Sequence, residues 1–224
     1  MDGALVKLLE EGISQIDGSL LSGKVPGRLA RLYDEITLFN PQYGLVNASG
    51  RDLVIRHILD CLAPVPLFRE MDCSGVRMAD LGSGSGLPGL VLASVFDSWD
   101  ITLVERMGRR AGFLRNTIAV LGMNSCVHVV QKDLSEVQDS FDIVTFRAFR
   151  HIQDIISDLD RILVPGGKVF SYKSSDENIR EELDVISSYG GCVFGHNVED
   201  YSVPMLDATR KMLILSKPIM TLNR

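Results

Sequence analysis

Apolar residues recur at helical spacing through the first 70 positions of the chain. The pattern predicts three amphipathic helices, over about residues 4–16, 26–40 and 49–63, separated by Gly/Ser and Pro breaks. Pro26 suits the first turn of the second helix, and Pro64 and Pro66 follow the third. We therefore expect the N-terminal 70 residues to form a helical cap.

From Val76 onward, short β-type runs alternate with helical segments. The predicted strands cover residues 76–81, 100–105, 127–131, 141–146, 168–172, 192–198 and 211–216, and the predicted helices cover 89–96, 109–121, 152–163 and 177–188. This alternation predicts an α/β fold with a parallel, doubly wound sheet. Only a loop joins the last two strands, so they are expected to form an antiparallel C-terminal edge. The predicted organisation is a cap over 1–70 and a Rossmann-like domain over 71–224, together one compact unit.

The composition is that of an ordinary globular protein. The 224 residues are 46% hydrophobic and 23% charged, and no apolar run approaches the roughly 18 residues of a membrane span. The N-terminal stretch carries acidic residues at helical spacing and lacks signal-peptide character. The four cysteines, Cys61, Cys73, Cys126 and Cys192, have no CxxC or zinc-finger spacing. These features predict a cytoplasmic monomer with free thiols, no membrane contact and no metal.

The formal net charge of -6 argues against a protein that coats nucleic acid non-specifically. It leaves open an RNA substrate bound by a local basic patch. Four arginines fall within ten positions: Arg106, Arg109, Arg110 and Arg115. This run predicts either a solvated helix face or an RNA-contacting patch.

A glycine-rich loop, Asp80–Gly89, follows the first predicted strand. Ligands bind at the carboxyl ends of the strands in open α/β sheets, and glycines let the backbone approach a ligand closely. Asp80 precedes the glycines, Glu105 ends the next strand where a carboxylate can accept the hydroxyls of a ribose, and Asp133 follows the third strand. These three positions favour S-adenosylmethionine as ligand. A nicotinamide or flavin cofactor is the alternative, because dinucleotide folds carry similar loops.

Several segments resemble the RsmG (GidB) family of 16S ribosomal RNA guanine-N7 methyltransferases. They are residues 80–89, 104–114, 141–149 and 166–173, together with two upstream elements at 39–46 and 56–62. Phe39, Gly44 and Val46 depart from the Trp, Asn and Thr that the family usually has there. The resemblance implies a class I S-adenosylmethionine-dependent methyltransferase fold with a helical cap. It also implies methyl transfer to a guanine N7 in the 530 loop of 16S rRNA, in the 30S subunit, with S-adenosyl-L-homocysteine as product. A small-molecule methyltransferase on the same fold is the alternative function.

The loop pattern and the resemblance together define the candidate site residues. The predicted donor-binding set is Asp80, Gly82, Gly84, Gly86, Leu87, Glu105, Asp133, Leu134, Ser135 and Arg147. The predicted RNA-contacting set is His57, Arg109, Arg110, Lys173 and Arg210. Ser135 replaces the glutamate that is usual in the family, so the expected carboxylate is that of Asp133.

Arg147 is the candidate catalytic residue, because it matches an arginine of the family's motif after the fourth strand. Guanine N7 carries a lone pair and no proton, so the reaction needs orientation of the base rather than a general base. Arg147 is predicted to contact substrate or donor; the alternative is a scaffold arginine tied to Asp80 or Glu105. His57 and Asp60 share one helix face, and they are expected either to line the site or to pin the cap to the sheet.

Overall fold

The computed structural model describes residues 1–174 and 176–219, and within them seven strands form one sheet. In chain order these are β1 (Arg77–Leu81), β2 (Asp100–Val104), β3 (Val127–Val130), β4 (Phe141–Arg147), β5 (Leu163–Lys173), β6 (Gly195–Ser202) and β7 (Thr209–Ser216). Their order across the sheet is β3-β2-β1-β4-β5-β7-β6. The pairs among β1 to β5 are parallel, whereas β7 runs antiparallel to both β5 and β6. The predicted parallel sheet with an antiparallel C-terminal edge is therefore confirmed.

Helices flank the sheet. They are α1 (Gly3–Asp17), α2 (Val25–Tyr43), α3 (Gly50–Leu53), α4 (Asp60–Leu62), α5 (Val65–Arg69), α6 (Gly89–Val95), α7 (Gly108–Leu121), α8 (Ile152–Ile162) and α9 (Asp176–Ser188). A π-helical segment, Val54–Leu59, joins α3 to α4, so the predicted third helix is one rod with a widened turn. None of the described helices is long and apolar enough to cross a membrane.

Helix α2, strand β5 and strand β6 depart most from the predicted bounds. Helix α2 continues past Pro41 to Tyr43, because a proline is tolerated there close to the helix end and Gly44 closes the helix in the left-handed conformation. Strand β5 begins at Leu163 rather than at residue 168. Its register with β4 shifts between Phe141 and Ile143, where the Val-Pro-Gly-Gly residues 164–167 of β5 form a bulge. Strand β6 runs over Gly195–Ser202 instead of 192–198.

The cap and the sheet share one hydrophobic core. Phe68 of α5 stacks on Phe170 of β5 with ring centroids 4.2 Å apart. The Tyr172 hydroxyl donates a hydrogen bond of 3.0 Å to the Cys61 carbonyl of α4, and the Cys61 thiol is buried and free. Residues 1–70 thus complete the core of the sheet, and a division at residue 70 remains a prediction.

The element at 39–46, where the chain departs from the family pattern, is held by one side chain. Asn40 donates a hydrogen bond to the Val46 carbonyl and accepts one from the Val46 amide, both at 2.9 Å. Phe39 packs edge-on against Phe113 of α7 at 5.7 Å. The element therefore fixes the end of α2 against the sheet domain.

We predict that Asn40→Ala lowers the free energy of unfolding by about 2 kcal/mol, because two partly buried hydrogen bonds are lost together. Urea denaturation followed by circular dichroism measures the change. Asn47→Ala is the matched control, because Asn47 is exposed and should change stability by less than about 0.5 kcal/mol. Equal effects of the two substitutions would contradict the assignment.

Candidate functional site

The glycine loop turns back from the end of β1 over the end of β2. Gly82, Gly84 and Gly86 have φ angles of 66°, 53° and 81°, in the left-handed region that favours glycine. The Gly82 and Ser83 amides donate to the Val104 carbonyl at 2.9 and 3.1 Å. The loop is thus fastened to β2, and three of its glycines are required by their backbone conformation.

Phe149 lies directly over this loop. A Cβ added at Gly82 would lie 2.2 Å from the Phe149 ring. The ring therefore packs against the loop at a position where only glycine leaves room for it. Ala148, which precedes Phe149, has a φ of 51°, a conformation that costs energy outside glycine. This turn after β4 directs the aromatic ring back onto the glycine loop.

Glu105 is buried at the end of β2 with 4% of its surface exposed. Its carboxylate accepts hydrogen bonds from the Gly84 amide at 3.0 Å and from the Met107 amide at 2.7 Å. The first of these bonds ties Glu105 to the glycine loop. The carboxylate is therefore fixed in the position predicted from the sequence.

A cavity of about 280 Å³, which we call the glycine-loop cavity, opens between these segments. Its lining residues are Gly82, Val104, Glu105, Arg106, Met107, Arg110, Lys132, Asp133, Leu134, Ala148, Phe149 and Arg150. Asp133 caps the short turn that follows β3 and accepts a hydrogen bond of 2.7 Å from Arg150. That bond and the Ser135 amide hold the pKa of Asp133 below its usual range. The predicted Gly82, Glu105, Asp133 and Leu134 thus come together at one cavity.

Other members of the predicted donor-binding set lie behind the loop or to its side. Asp80, Gly84, Gly86, Leu87, Ser135 and Arg147 are absent from the lining of the glycine-loop cavity. Asp80 is 1% exposed, and one of its oxygens accepts a 3.0 Å hydrogen bond from the Gly89 amide, while the other has no partner in the part of the chain that the structure describes. Burial raises the pKa of Asp80 to about 7. Asp80 therefore supports the loop from beneath, because the loop covers its carboxylate.

A second and larger cavity, about 560 Å³, lies beyond Phe149 at the ends of β4 and β5. We call it the arginine-lined cavity, because the charged residues in its lining are Arg56, Asp60, Arg147, Arg150, Lys173, Glu182 and Arg210. The five cations outnumber the two acids in a chain whose formal net charge is -6. Ala148, Phe149 and Arg150 line both cavities, which therefore meet at the loop after β4.

Arg147 is held by the cap. Its guanidinium donates to the Asp60 carboxylate at 2.7 Å, to the Arg56 carbonyl at 3.1 Å and to His57 Nδ1 at 2.7 Å. The predicted scaffold alternative, with Asp80 or Glu105 as partner, is wrong because all these partners lie on the cap. Arg210 of β7 binds the other oxygen of Asp60 at 3.3 Å.

His57 accepts a hydrogen bond at Nδ1, since an arginine can only donate. Burial and the neighbouring Arg147 charge lower the pKa of His57 to about 4. The imidazole is therefore neutral near pH 7 and orients the guanidinium without repelling it. His57 and Asp60 both line the cavity and pin the cap to the sheet, so the two roles expected for them coincide.

The predicted RNA-contacting residues divide into two groups. His57, Lys173 and Arg210 line the arginine-lined cavity. Arg109 is exposed at the start of α7, outside both cavities, whereas Arg110 lines the glycine-loop cavity and has a buried Nε without a partner among the described residues. The expectation that Arg109 and Arg110 form one exposed patch is wrong, because successive residues on a helix point about 100° apart.

Sequence reasoning missed Phe149, Arg150 and Glu182. Glu182 lies on the apolar face of α9, three residues after Ile179 and four before Ile186, and is 6% exposed. An acidic residue in an apolar helical stripe is the signal that could have identified it. Among the described residues, no group of three His, Cys, Asp or Glu side chains is placed to hold a metal.

Curated relatives resemble the chain over most of its length. It is 31% identical to ribosomal RNA small subunit methyltransferase G of Treponema denticola, over 97% of this chain and 95% of that protein. The corresponding protein of Borrelia turicatae is 33% identical over 76% of this chain and 82% of its own length. That of Cupriavidus pinatubonensis is 29% identical over 96% and 95%.

Solved structures share the fold at lower identity. A methyltransferase from Pyrococcus furiosus superimposes with a TM-score of 0.58 and 18% identity, over 86% of this chain and 99% of that chain. A tRNA (m1A58) methyltransferase from Aquifex aeolicus gives 0.56 and 14%, over 72% and 69%. At this identity the similarity establishes the class I methyltransferase fold and leaves the substrate open.

The family described as rRNA small subunit methyltransferase G matches residues 27–212, which include the π-helical segment, the glycine loop and both cavities. This match agrees with the similarity to the curated relatives. The chain therefore belongs to the GidB family, rRNA small subunit methyltransferase G.

Proposed function

We propose that the protein transfers a methyl group from S-adenosylmethionine to N7 of a guanine in 16S rRNA of the small ribosomal subunit, acting as a cytoplasmic monomer. The observation that carries this proposal is the pair of cavities that meet at Ala148 and Phe149, one framed by a glycine loop and a carboxylate and the other lined by cations. Family membership supports ribosomal RNA as the substrate.

The glycine-loop cavity fits S-adenosylmethionine. Gly82 lines it at a point where only a glycine lets the Phe149 ring pack against the loop, and the Gly84 amide holds the Glu105 carboxylate at the end of β2, the place from which a carboxylate of this fold can accept ribose hydroxyls. Leu134 offers an apolar surface for an adenine, beside the carboxylate of Asp133. When bound, S-adenosylmethionine supplies an electrophilic methyl group on a sulfonium centre.

The arginine-lined cavity suits an RNA segment better than a small neutral molecule. Its cations can bind phosphates, and its aromatic residues Phe149, Tyr172 and Tyr201 offer surfaces for a base. The local excess of cations offsets the acidic net charge of the whole chain. The distribution of charge thus favours RNA binding at this cavity rather than over the whole protein surface.

The protein's part in the reaction is orientation. Guanine N7 needs no deprotonation, so no residue has to act as a general base. Arg147, fixed by Asp60 and His57, lines the cavity at the loop that separates the two binding spaces. We assign Arg147 to holding the base or its phosphate in line with the methyl group.

Methyl transfer from labelled S-adenosylmethionine to 30S particles that lack the modification tests the proposal, with nucleoside analysis of the product. We expect 7-methylguanosine as the labelled nucleoside. Naked 16S rRNA in parallel identifies the preferred form of the substrate. Label in no nucleoside, or in a different methylated nucleoside, would overturn the proposed function.

We predict that Gly82→Ala abolishes binding of S-adenosylmethionine in calorimetry, because the new Cβ collides with the Phe149 ring and displaces this part of the cavity wall. Gly122→Ala is the matched control. Gly122 has a φ of 65°, close to the 66° of Gly82, and among the described residues no atom other than those of its chain neighbours comes within 4 Å of an added Cβ. Both variants carry the same backbone strain, so normal donor affinity in Gly82→Ala would contradict the assignment of this cavity.

Arg147→Lys should keep the fold and the donor affinity, while single-turnover methylation of 30S particles slows on the order of a hundredfold. A lysine cannot bind Asp60, His57 and the Arg56 carbonyl with one planar group. Arg109→Lys, at an exposed position, is the control and should leave the rate unchanged. A rate for Arg147→Lys within about twofold of wild type would reduce Arg147 to a structural residue.

Arg109→Ala and Arg110→Ala should have separate effects. Loss of the exposed Arg109 should weaken RNA association and reduce its salt slope by about 1, with donor affinity unchanged. Loss of Arg110, which lines the glycine-loop cavity, should lower donor affinity about tenfold. RNA binding at several salt concentrations and donor calorimetry measure the two effects, and identical profiles for both variants would refute this division.

A further inference from the structure

Lys173 and Glu182 form a buried ion pair in the wall of the arginine-lined cavity. Lys173 Nζ lies 2.6 Å from Glu182 Oε1, and the two side chains are only 10% and 7% exposed. Lys173 comes from the end of β5 and Glu182 from α9. The pair therefore places an ammonium and a carboxylate side by side in the cavity wall at β5.

The carboxylate of Glu182 is only half satisfied. Its Oε2 is buried and has no hydrogen-bond partner among the described residues, and neither has Ser171 Oγ in the same cavity lining. A buried carboxylate oxygen without a hydrogen bond carries an uncompensated desolvation penalty, so most such atoms in folded proteins have a partner. A ligand that brings N–H donors into this cavity would supply one.

We propose that the Lys173–Glu182 pair recognises the Watson–Crick edge of the target guanine; this inference rests on the proposed function and names the residues that select the base. That edge of guanine presents O6 as an acceptor, followed by the N1–H and N2–H donors. Lys173 Nζ donates to O6, and the Glu182 carboxylate accepts from N1–H and N2–H. Adenine, cytosine and uracil lack two adjacent donors on this edge, so they leave Oε2 unpaired.

The placement of the pair agrees with methylation at N7. N7 lies on the edge of guanine away from N1 and N2. The pair lies at β5, and the glycine loop follows β1, with β4 between them. Neighbouring strands are about 4.8 Å apart. A base held at β5 by O6, N1 and N2 can therefore turn its five-membered ring, which carries N7 beside O6, across β4 toward the methyl donor.

The competing explanation is a structural clamp that fastens α9 to β5. A clamp would affect every substrate equally, whereas base recognition depends on which donors the base carries. Inosine separates the two, because it retains N7, O6 and N1–H but lacks the N2 amine.

The experiment compares methylation of two 16S rRNAs assembled by ligation into 30S particles, with guanosine or inosine at the target position. For the wild type we expect kcat/KM on inosine to fall by on the order of tenfold to a hundredfold, the effect of one lost hydrogen bond to a charged group. For Glu182→Gln, kcat/KM on guanosine should fall by a similar factor, and the further loss with inosine should shrink to less than about threefold. Glu181→Gln is the matched control, because Glu181 is the exposed neighbour on α9 and should behave as wild type.

Three outcomes would overturn this proposal. If the wild-type enzyme methylates inosine as well as guanosine, the proposal is overturned without the need for any variant. A Glu182→Gln enzyme with unchanged kcat/KM on guanosine and the full inosine penalty would assign the recognition elsewhere, and one that loses activity equally on both substrates would indicate a clamp. Donor affinity measured by calorimetry confirms that the variant is folded. Failure of the wild type on the guanosine substrate is a different result, because it removes the proposed function itself.

Discussion

The Asp60 carboxylate is the point on which the arrangement of the site depends. It lies in the helical cap, is nearly inaccessible to solvent, and binds Arg147 of β4 through one oxygen and Arg210 of β7 through the other. Two arginines this close would repel each other without it. Breaking a buried ion pair by removing one partner typically costs about 3–5 kcal/mol. The cap is therefore an electrostatic part of the larger cavity as well as a cover for the sheet.

The loop after β4 connects the chemistry of the two cavities. Its first residue after the strand, Ala148, adopts a left-handed conformation, and this turn places Phe149 against Gly82 while Arg150 reaches Asp133. One short segment thus borders the carboxylate-containing space on one side and the cationic space on the other. A methyl donor bound in the glycine-loop cavity and an acceptor bound in the arginine-lined cavity would lie next to each other at this segment. Direct group transfer requires that proximity.

Alternating strand and helix patterns sufficed to predict the sheet, its antiparallel edge and the position of the glycine loop. They also located Glu105, because a carboxylate at a strand end has a defined place in this fold. Arg109 and Arg110 could not be separated, because adjacency in sequence conceals their different directions on α7. Glu182 was missed because its significance depends on Lys173, which tertiary packing brings to it. The partners of Arg147 likewise come from a segment about 90 residues away.

The π-helical segment has a consequence for how the chain length can vary. Val54–Leu59 carries His57 and leads directly into Asp60, so the widened turn sets the direction of both side chains relative to α3. Removing one residue here would permit a regular α-helix but would rotate the preceding part of the cap by about 100° around the helix axis. Insertions and deletions should therefore be excluded from this stretch, whereas the exposed positions Asn47 and Ser49, which follow the Val46 hydrogen bonds and precede α3, are better placed to absorb them.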